Sequence, residues 1–167
     1  IKGVEEGDFT FVFGYPGTTK QFLTSDAVNY IQNIEDPTRI KLRTARLDVY
    51  NRAMNESPAQ RLRYASKVAS VANGWKKWQG EVRGLKRLNA IEKKKAFEKD
   101  FNAWAKNNAK YKNVLSELKI TYAEMEKLNL SFIYLNEAVF ASDLMIQVRK
   151  LGVVIASSDE ASLGNNV

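Results

Sequence analysis

Residues 57–85 read SPAQRLRYASKVASVANGWKKWQGEVRGL, and this stretch decides the fold. Its first four residues form a capping box with proline at the first helical position, a pattern typical of a helix start. Apolar residues then recur at alternating spacings of four and three, and they are Tyr64, Val68, Val71, Trp75, Trp78, Val82 and Leu85. Because this apolar seam has a period of about 3.5 residues, it predicts a long helix packed against an antiparallel neighbour.

Helical patterning continues downstream of the long helix. The apolar seam shifts register at Leu88, like a stutter in a coiled coil, and the helical pattern runs on to the two asparagines at 107–108. Two more helices with short connections are expected at about residues 111–128 and 130–151. The residues after Gly152 are apolar at first and polar later, and they are set apart as a tail.

The segment upstream of the long helix combines an extended stretch with two shorter helices. Residues 8–14 read DFTFVFG, an alternation that predicts a β-strand ending on glycine, and Tyr15-Pro16-Gly17 predicts a turn. Ser25 is expected to cap a helix to about residue 34, and an Asp-Pro pair at 36–37 is expected to cap and start the next. No later segment offers the strand a convincing partner, so it is expected to belong to a β domain that lies mostly outside this sequence.

Composition restricts the chemistry that these residues can perform. The chain of 167 residues contains neither histidine nor cysteine, so a Ser-His-Asp triad, a cysteine nucleophile or a thiolate zinc site cannot be completed within it. No carboxylates stand at metal-loop spacing, and no metal or cofactor is expected. The net charge of +7 is more typical of a solvated face than of a site for an anionic partner. Since the chain opens at Ile1, it is expected to be an internal piece of a larger protein.

Three glycines, Gly74, Gly80 and Gly84, lie inside the long helix. Each lowers the stability of the helix by about 0.5–1 kcal/mol relative to alanine. Close approach of another helix or of a ligand would explain them, and so would a local kink. The helical period also aligns a small, polar strip away from the apolar seam, and its members are Ser66, Ser70, Asn73, Lys77, Gly80 and Gly84. This polar strip could line the wall of a cleft, although an asparagine on a helix is usually exposed without a role.

Two other functions are compatible with the same helix. Trp75-Lys76-Lys77-Trp78, with further basic residues downstream, has the composition of a platform for nucleic acid. Both tryptophans fall on the apolar seam, however, which favours a place in the core, and nucleic acid is not the expected partner. A free-standing helical module that pairs with another protein through the seam remains the main alternative, and a homodimer is left open.

Three stretches together resemble the bacterial dipeptidyl-peptidase 7/11 family of chymotrypsin-like serine exopeptidases. Residues 7–19, GDFTFVFGYPGTT, resemble the strand and the Gly-x-Pro-Gly-x-Thr turn with which that family leaves its first barrel and enters a large helical insertion. Residues 46–54, RLDVYNRAM, resemble the next helix. Residues 69–80, ASVANGWKKWQG, followed by Gly84-Leu85, resemble the helix that carries Asn-x-(aromatic)-Lys-Asn in the family. The likeness covers about the first hundred residues.

The resemblance implies a fold and a division of the chain. It implies a mainly α structure, an antiparallel helical bundle with one long central helix, preceded by a single β-strand and Gly-Pro-Gly turn from an adjacent β-barrel domain. Residues 1–19 would end the barrel peptidase domain, residues 20–152 would form the helical cap domain, and residues 153–167 would be the tail.

The resemblance also implies a function for the whole protein. It would be a periplasmic or cell-surface peptidase that releases dipeptides from free peptide N-termini, with its catalytic triad outside this chain. The helical insertion would cap the cleft, and Asn73 matches the position that helps to hold the α-amino group of the substrate. Gly74, Lys77 and Gly80 would line the cleft beside it. Lys77 departs from the family pattern, because a second asparagine is common there.

Overall fold

The computed structural model describes residues 3–11, 14 and 20–164. Within them the chain is helical from Ser25 onward, with short connections and two π-helical turns inserted between α-helices. None of the described helices is long and apolar enough to cross a bilayer. The helices are α1 (Ser25–Tyr30), α2 (Asp36–Met54), α3 (Pro58–Arg87), α4 (Ala90–Ala105), α5 (Val114–Tyr134) and α6 (Asp143–Gly164), with a first π turn at Ile31–Glu35 and a second π turn at Leu135–Phe140.

The long helix and its antiparallel partner are confirmed. The Ser57 hydroxyl accepts a hydrogen bond from the Gln60 amide at 3.2 Å and caps α3. All seven residues of the apolar seam are buried or half-buried. Members of the seam contact α2, which runs in the opposite direction: the Tyr64 ring lies 5.5 Å from the Tyr50 ring, and the Trp75 indole donates to the Thr44 hydroxyl at 2.8 Å. The seam is thus covered within one chain, whereas an interaction module would have paired it between chains.

A cluster of charged side chains ties α2 to the second π turn. Glu137 is 7% exposed, and its carboxylate accepts two hydrogen bonds from Arg43, at 3.0 and 2.9 Å. Arg39 and Arg46 approach the same carboxylate at 3.6 Å each, and Arg46 also donates to the Glu137 carbonyl. The other side of Arg43 reaches α3, where Nη1 donates to the Val71 carbonyl at 3.2 Å.

The start of the helical region differs from the prediction in how the helices are capped. Thr24, not Ser25, caps α1, because the Thr24 hydroxyl accepts from the Ala27 amide at 3.3 Å. Ser25 is the first helical residue, and its amide and hydroxyl donate to the Glu98 carboxylate at 2.5 and 2.6 Å. This contact fastens α1 to α4.

The predicted cap between α1 and α2 is not formed. The backbone stays helical through the first π turn, in which the Asp36 amide donates to the Ile31 carbonyl, and the Asp36 side chain makes no capping bond. Pro37 has no N–H for the carbonyl four residues earlier, and its ring would crowd that carbonyl in an α-helix. The first π turn, which is wider than an α-helical turn and lies just before the proline, relieves this conflict. The two predicted helices therefore form one continuous helical segment.

The long helix ends where the sequence predicted a stutter. Asn89 adopts the left-handed conformation, with φ 50° and ψ 47°, and it separates α3 from α4. Asparagine is among the few residues that tolerate this conformation. The change of register at Leu88 is therefore a break between two helices rather than a continuous helix with a shifted seam.

The second half of the chain breaks later than predicted. The expected boundary near residue 129 is wrong, because α5 continues to Tyr134 and on through the second π turn. The helical run ends at residues 141–142, and the Ser142 hydroxyl then accepts from the Met145 amide at 3.3 Å at the start of α6. The segment set apart as a tail after Gly152 is helical over most of its length, since α6 extends to Gly164.

The predicted N-terminal strand is absent from the described residues. Residues 3–11 and 14 join no sheet, and the Asp8 amide instead donates to the Glu5 carbonyl at 3.1 Å around Gly7, which has φ 97°. Phe9 is 91% exposed. A strand needs ladder hydrogen bonds to a neighbour, and the described part of the chain supplies none. The predicted turn at residues 15–17 lies outside the described residues, and the adjacent barrel remains a prediction.

Removing the shared carboxylate is expected to destabilise the bundle strongly. The Glu137→Ala substitution leaves three neighbouring guanidinium groups without their buried partner, and we expect a loss of about 3 kcal/mol in the free energy of unfolding. Glu92→Ala removes an exposed ion pair to Lys95 and serves as the control, with no measurable change expected. Urea unfolding followed by circular dichroism measures both, and equal midpoints would contradict the central role of Glu137.

Candidate functional site

Asn73 lies on the exposed side of α3, about midway along the helix. Its carboxamide makes no hydrogen bond within the described part of the chain. Ser66, Ser70, Lys77 and Gly80, the other members of the predicted polar strip apart from Gly84, are exposed as well, and Gly84 is half-buried. The strip is therefore open to a ligand or to another part of the protein.

Gly74 faces α2, next to Asn73 in sequence but on a different side of the helix. A Cβ built at this position would overlap Nη1 of Arg43 and lie 3.1 Å from its Cζ. Close approach of a neighbouring helix, one of the explanations for the glycines, therefore accounts for Gly74. A Cβ at Gly80 or Gly84 would meet nothing within 4 Å, so the packing of the described residues does not require glycine there.

The contacts of Arg43 fix the backbone on both sides of Asn73. The guanidinium donates to the Val71 carbonyl, fills the space beside Gly74, and stacks over the Trp78 ring with its Cζ 4.4 Å from the ring centroid. These contacts hold about two turns of α3 against α2. The same geometry places Trp78 at the interface between the two helices, as the apolar seam predicted.

Lys77 lies in the middle of the strip, and Asp36, at the start of α2, is close enough for the charge of Lys77 to affect it. Lys77 pairs with Glu81 at 3.7 Å across one turn of α3, and its side chain is 69% exposed. Asp36 is 3% exposed, and one of its carboxylate oxygens has no hydrogen-bond partner in the described structure. Burial, together with the negative charges of Glu81 and Glu35, raises the pKa of Asp36 to about 7 against the opposing effects of Lys77 and Arg39.

The sequence did not identify Asp36 as a titrating group. An aspartate before a proline was interpreted as a helix cap, and a cap would be exposed and hydrogen-bonded. The only sequence signal for burial was the apolar Ile31 and Ile34 on the preceding turn, and that signal does not distinguish a buried carboxylate from an exposed one.

A second polar cluster is formed by residues of α2, α3 and the start of α6. The Lys67 ammonium contacts the Asp143 carboxylate at 2.7 Å, and the Tyr50 hydroxyl lies 3.4 Å from the same carboxylate. The hydrogen bond to Asp143 raises the pKa of Lys67. The cluster borders a groove of about 440 Å³. Neither this cluster nor any other group of described residues has the ligand set of a metal site.

Comparison with known proteins defines the class to which this helical region belongs. A family model of peptidases matches residues 1–161 of the chain. The family is peptidase S46, and the chain belongs to it. The family resemblance inferred from the glycine-proline turn and the asparagine helix is thereby confirmed.

Individual relatives carry two names. The chain is 46% identical over 143 residues to an Asp/Glu-specific dipeptidyl-peptidase of Flavobacterium psychrophilum, which covers 83% of this chain and 20% of that protein. It is 35% identical over 168 residues to dipeptidyl-peptidase 7 of Porphyromonas gingivalis, covering 98% of this chain and 24% of that protein. The chain thus spans about a fifth to a quarter of the length of these relatives.

The packing at Gly74 predicts opposite effects for the same substitution at two helical glycines. Gly80→Ala should stabilise the chain by up to about 1 kcal/mol, because alanine favours the helix and the site is open. Gly74→Ala should destabilise it, because the methyl group displaces Arg43 from the Val71 carbonyl. Urea unfolding of both variants measures this difference, and equal stabilisation by the two would show that Arg43 does not approach Gly74.

The raised pKa of Asp36 predicts a pH-dependent stability. Between its ordinary value of 3.8 and about 7 the folded chain keeps a proton that the unfolded chain loses, so stability falls as the pH rises through this window and levels off above it. Asp36→Asn removes this dependence. The advantage of the variant in urea unfolding should grow between about pH 4 and about pH 7 and then stay constant. A constant difference across the window would refute the raised pKa.

Proposed function

We propose that this chain is the helical region that caps the substrate cleft of a dipeptidyl-peptidase, and that the whole protein removes dipeptides from free peptide N-termini. Membership of the peptidase S46 family and the names of the relatives support this assignment. The chain itself is proposed to be inactive when isolated, because it contains no histidine or cysteine to activate or supply a nucleophile. The catalytic residues are placed outside it.

The observation that carries the proposal is the exposed, unengaged carboxamide of Asn73. A free α-amino group is an ammonium ion with three donors, and an amide oxygen can accept one of them while a carboxylate elsewhere supplies the opposite charge. Asn73 lies in the stretch that resembles the asparagine helix of the family. Recognition of a free amine at this position would block longer chains and so restrict cleavage to the N-terminal end.

The rigidity of α3 around Asn73 supports the same role. A side chain that recognises a small charged group must be held in place by the element that carries it. Arg43 contacts the helix at Val71, Gly74 and Trp78, on both sides of Asn73 in sequence. The carboxamide therefore projects from a segment fixed by a buried ion pair, while Lys77 and Gly80 continue the exposed strip beside it.

The choice of substrate side chain is proposed to lie elsewhere in the protein. An Asp/Glu-specific dipeptidyl-peptidase and dipeptidyl-peptidase 7 both match over most of this chain. A region shared by relatives of both names fits a common task, such as holding the N-terminus, better than a discriminating one. A periplasmic or cell-surface location is a further proposal that rests on the resemblance alone. A homodimer stays open, as it does from the sequence.

The test is an assay of the full-length protein on fluorogenic dipeptide substrates with free and acetylated N-termini. We expect cleavage of the free substrates only, and a fall in kcat/KM of at least about tenfold, equivalent to about 1.4 kcal/mol, in Asn73→Ala. Asn102→Ala is the matched control, since Asn102 is also an exposed asparagine within a helix. If kcat/KM of the Asn73→Ala variant is unchanged, Asn73 is not part of the site. If no dipeptide is released at all, the peptidase assignment is overturned.

A further inference from the structure

The helix α6 carries an apolar surface that nothing in the described structure covers. Its first turn is held by Asp143, which pairs with Lys67 of α3. Beyond that point three residues at spacings of four and three share one face, and they are Leu144, Val148 and Leu151. All three are exposed, by 73, 51 and 60% respectively. A stripe of this kind is the pattern by which a helix packs against a neighbour.

The opposite side of α6 is apolar as well. Ile146 and Val153 lie roughly half a turn away from the first stripe, and they are 38 and 69% exposed. Together with Val154, Arg149 and Lys150 they line a shallow groove in which two cations flank the apolar residues. A helix that is apolar on opposite sides is typical of a position buried between other elements, not of one that leans on a single surface.

We propose that α6 is buried against the remainder of the same polypeptide and anchors the helical region to it. The peptidase S46 family model extends to residue 161, so most of α6 belongs to the sequence that the family shares. In relatives of both names, more than three quarters of the protein lies outside the matched region. That part of the polypeptide offers enough surface to cover α6 on two sides.

A second copy of the chain fits this surface less well. A two-fold contact between two copies of α6 would bury one stripe of each helix and leave the opposite stripe in water. An exposed leucine on its own needs no partner, and Leu62, between two arginines on α3, is such a case at 83% exposure. The inference concerns assembly of the polypeptide and is independent of the role proposed for Asn73.

The experiment compares thiol labelling at the two kinds of exposed leucine in the full-length protein. Leu151→Cys and Leu62→Cys each introduce a cysteine into a chain that has none, and peptide mass spectrometry reports labelling at each position separately. In the described structure both leucines are open, so similar rates would overturn the proposal. Burial against the rest of the polypeptide should slow labelling at residue 151 at least about tenfold relative to residue 62. Val148→Cys, on the same stripe, should show the same slowing and guards against a local effect of one substitution.

Cross-linking separates the two ways in which α6 could be covered. The unmodified full-length protein is treated with an amine-reactive cross-linker, and the products of Lys150 are identified after separation under denaturing conditions. Links from Lys150 to residues outside this chain, in a product with the mass of one polypeptide, are the expected result. If labelling at residue 151 is slow but the links of Lys150 are found only in a product of twice that mass, a second copy covers α6. That result would overturn the proposal.

Discussion

The fold depends on one carboxylate, that of Glu137, which three arginines of α2 share. Burying a charge is costly unless it is paired, and the cluster holds more positive charge than Glu137 alone can neutralise. Glu35 neutralises part of the excess positive charge through its 3.1 Å ion pair with Arg39. The Trp78 ring stabilises the Arg43 guanidinium, which stacks over it, by a cation–π interaction. Through this network the second π turn, α2 and α3 are joined by side chains rather than by apolar packing alone.

The network also explains where the candidate site lies. Arg43 meets the two backbone positions that bracket Asn73, so the interaction that joins the helices also orients the exposed strip. Gly74 is needed on the inner side to admit the guanidinium, whereas Gly80 has no such neighbour. A substitution in the interior of the bundle, at Glu137 or Arg43, would therefore change the position of the exposed strip through its effect on α3.

Local signals in the sequence predicted α3 well and its surroundings less well. The serine cap and the seam of regular spacing depend on residues within one or two turns, and both were confirmed. The second bond of the capping box was not, because the side-chain oxygen of Gln60 has no hydrogen-bond partner in the described structure. The ion pair of Arg43 with Glu137 joins residues 94 positions apart, and no local periodicity of the sequence predicts such a contact. Asn89 ends a helix by the conformation of a single residue, and Asp36 before a proline looks like a cap whether it is buried or not. The predicted strand had no partner in the described part of the chain. The helical period placed Asn73 on the polar strip, and only the resemblance singled it out from the other members.

The two π turns have a consequence for comparing this protein with its relatives. A π turn arises when one residue is added to an α-helix without interrupting it. Each residue of an α-helix turns the chain by about 100°, so the extra residue changes which side of the following helix faces inward. A relative that lacks the addition would align with a one-residue gap inside a helix, where gaps are usually rejected. Alignments across the stretches Ile31–Glu35 and Leu135–Phe140 that forbid such a gap would mispair the inward-facing residues that follow, up to the next loop at which a gap can restore the register.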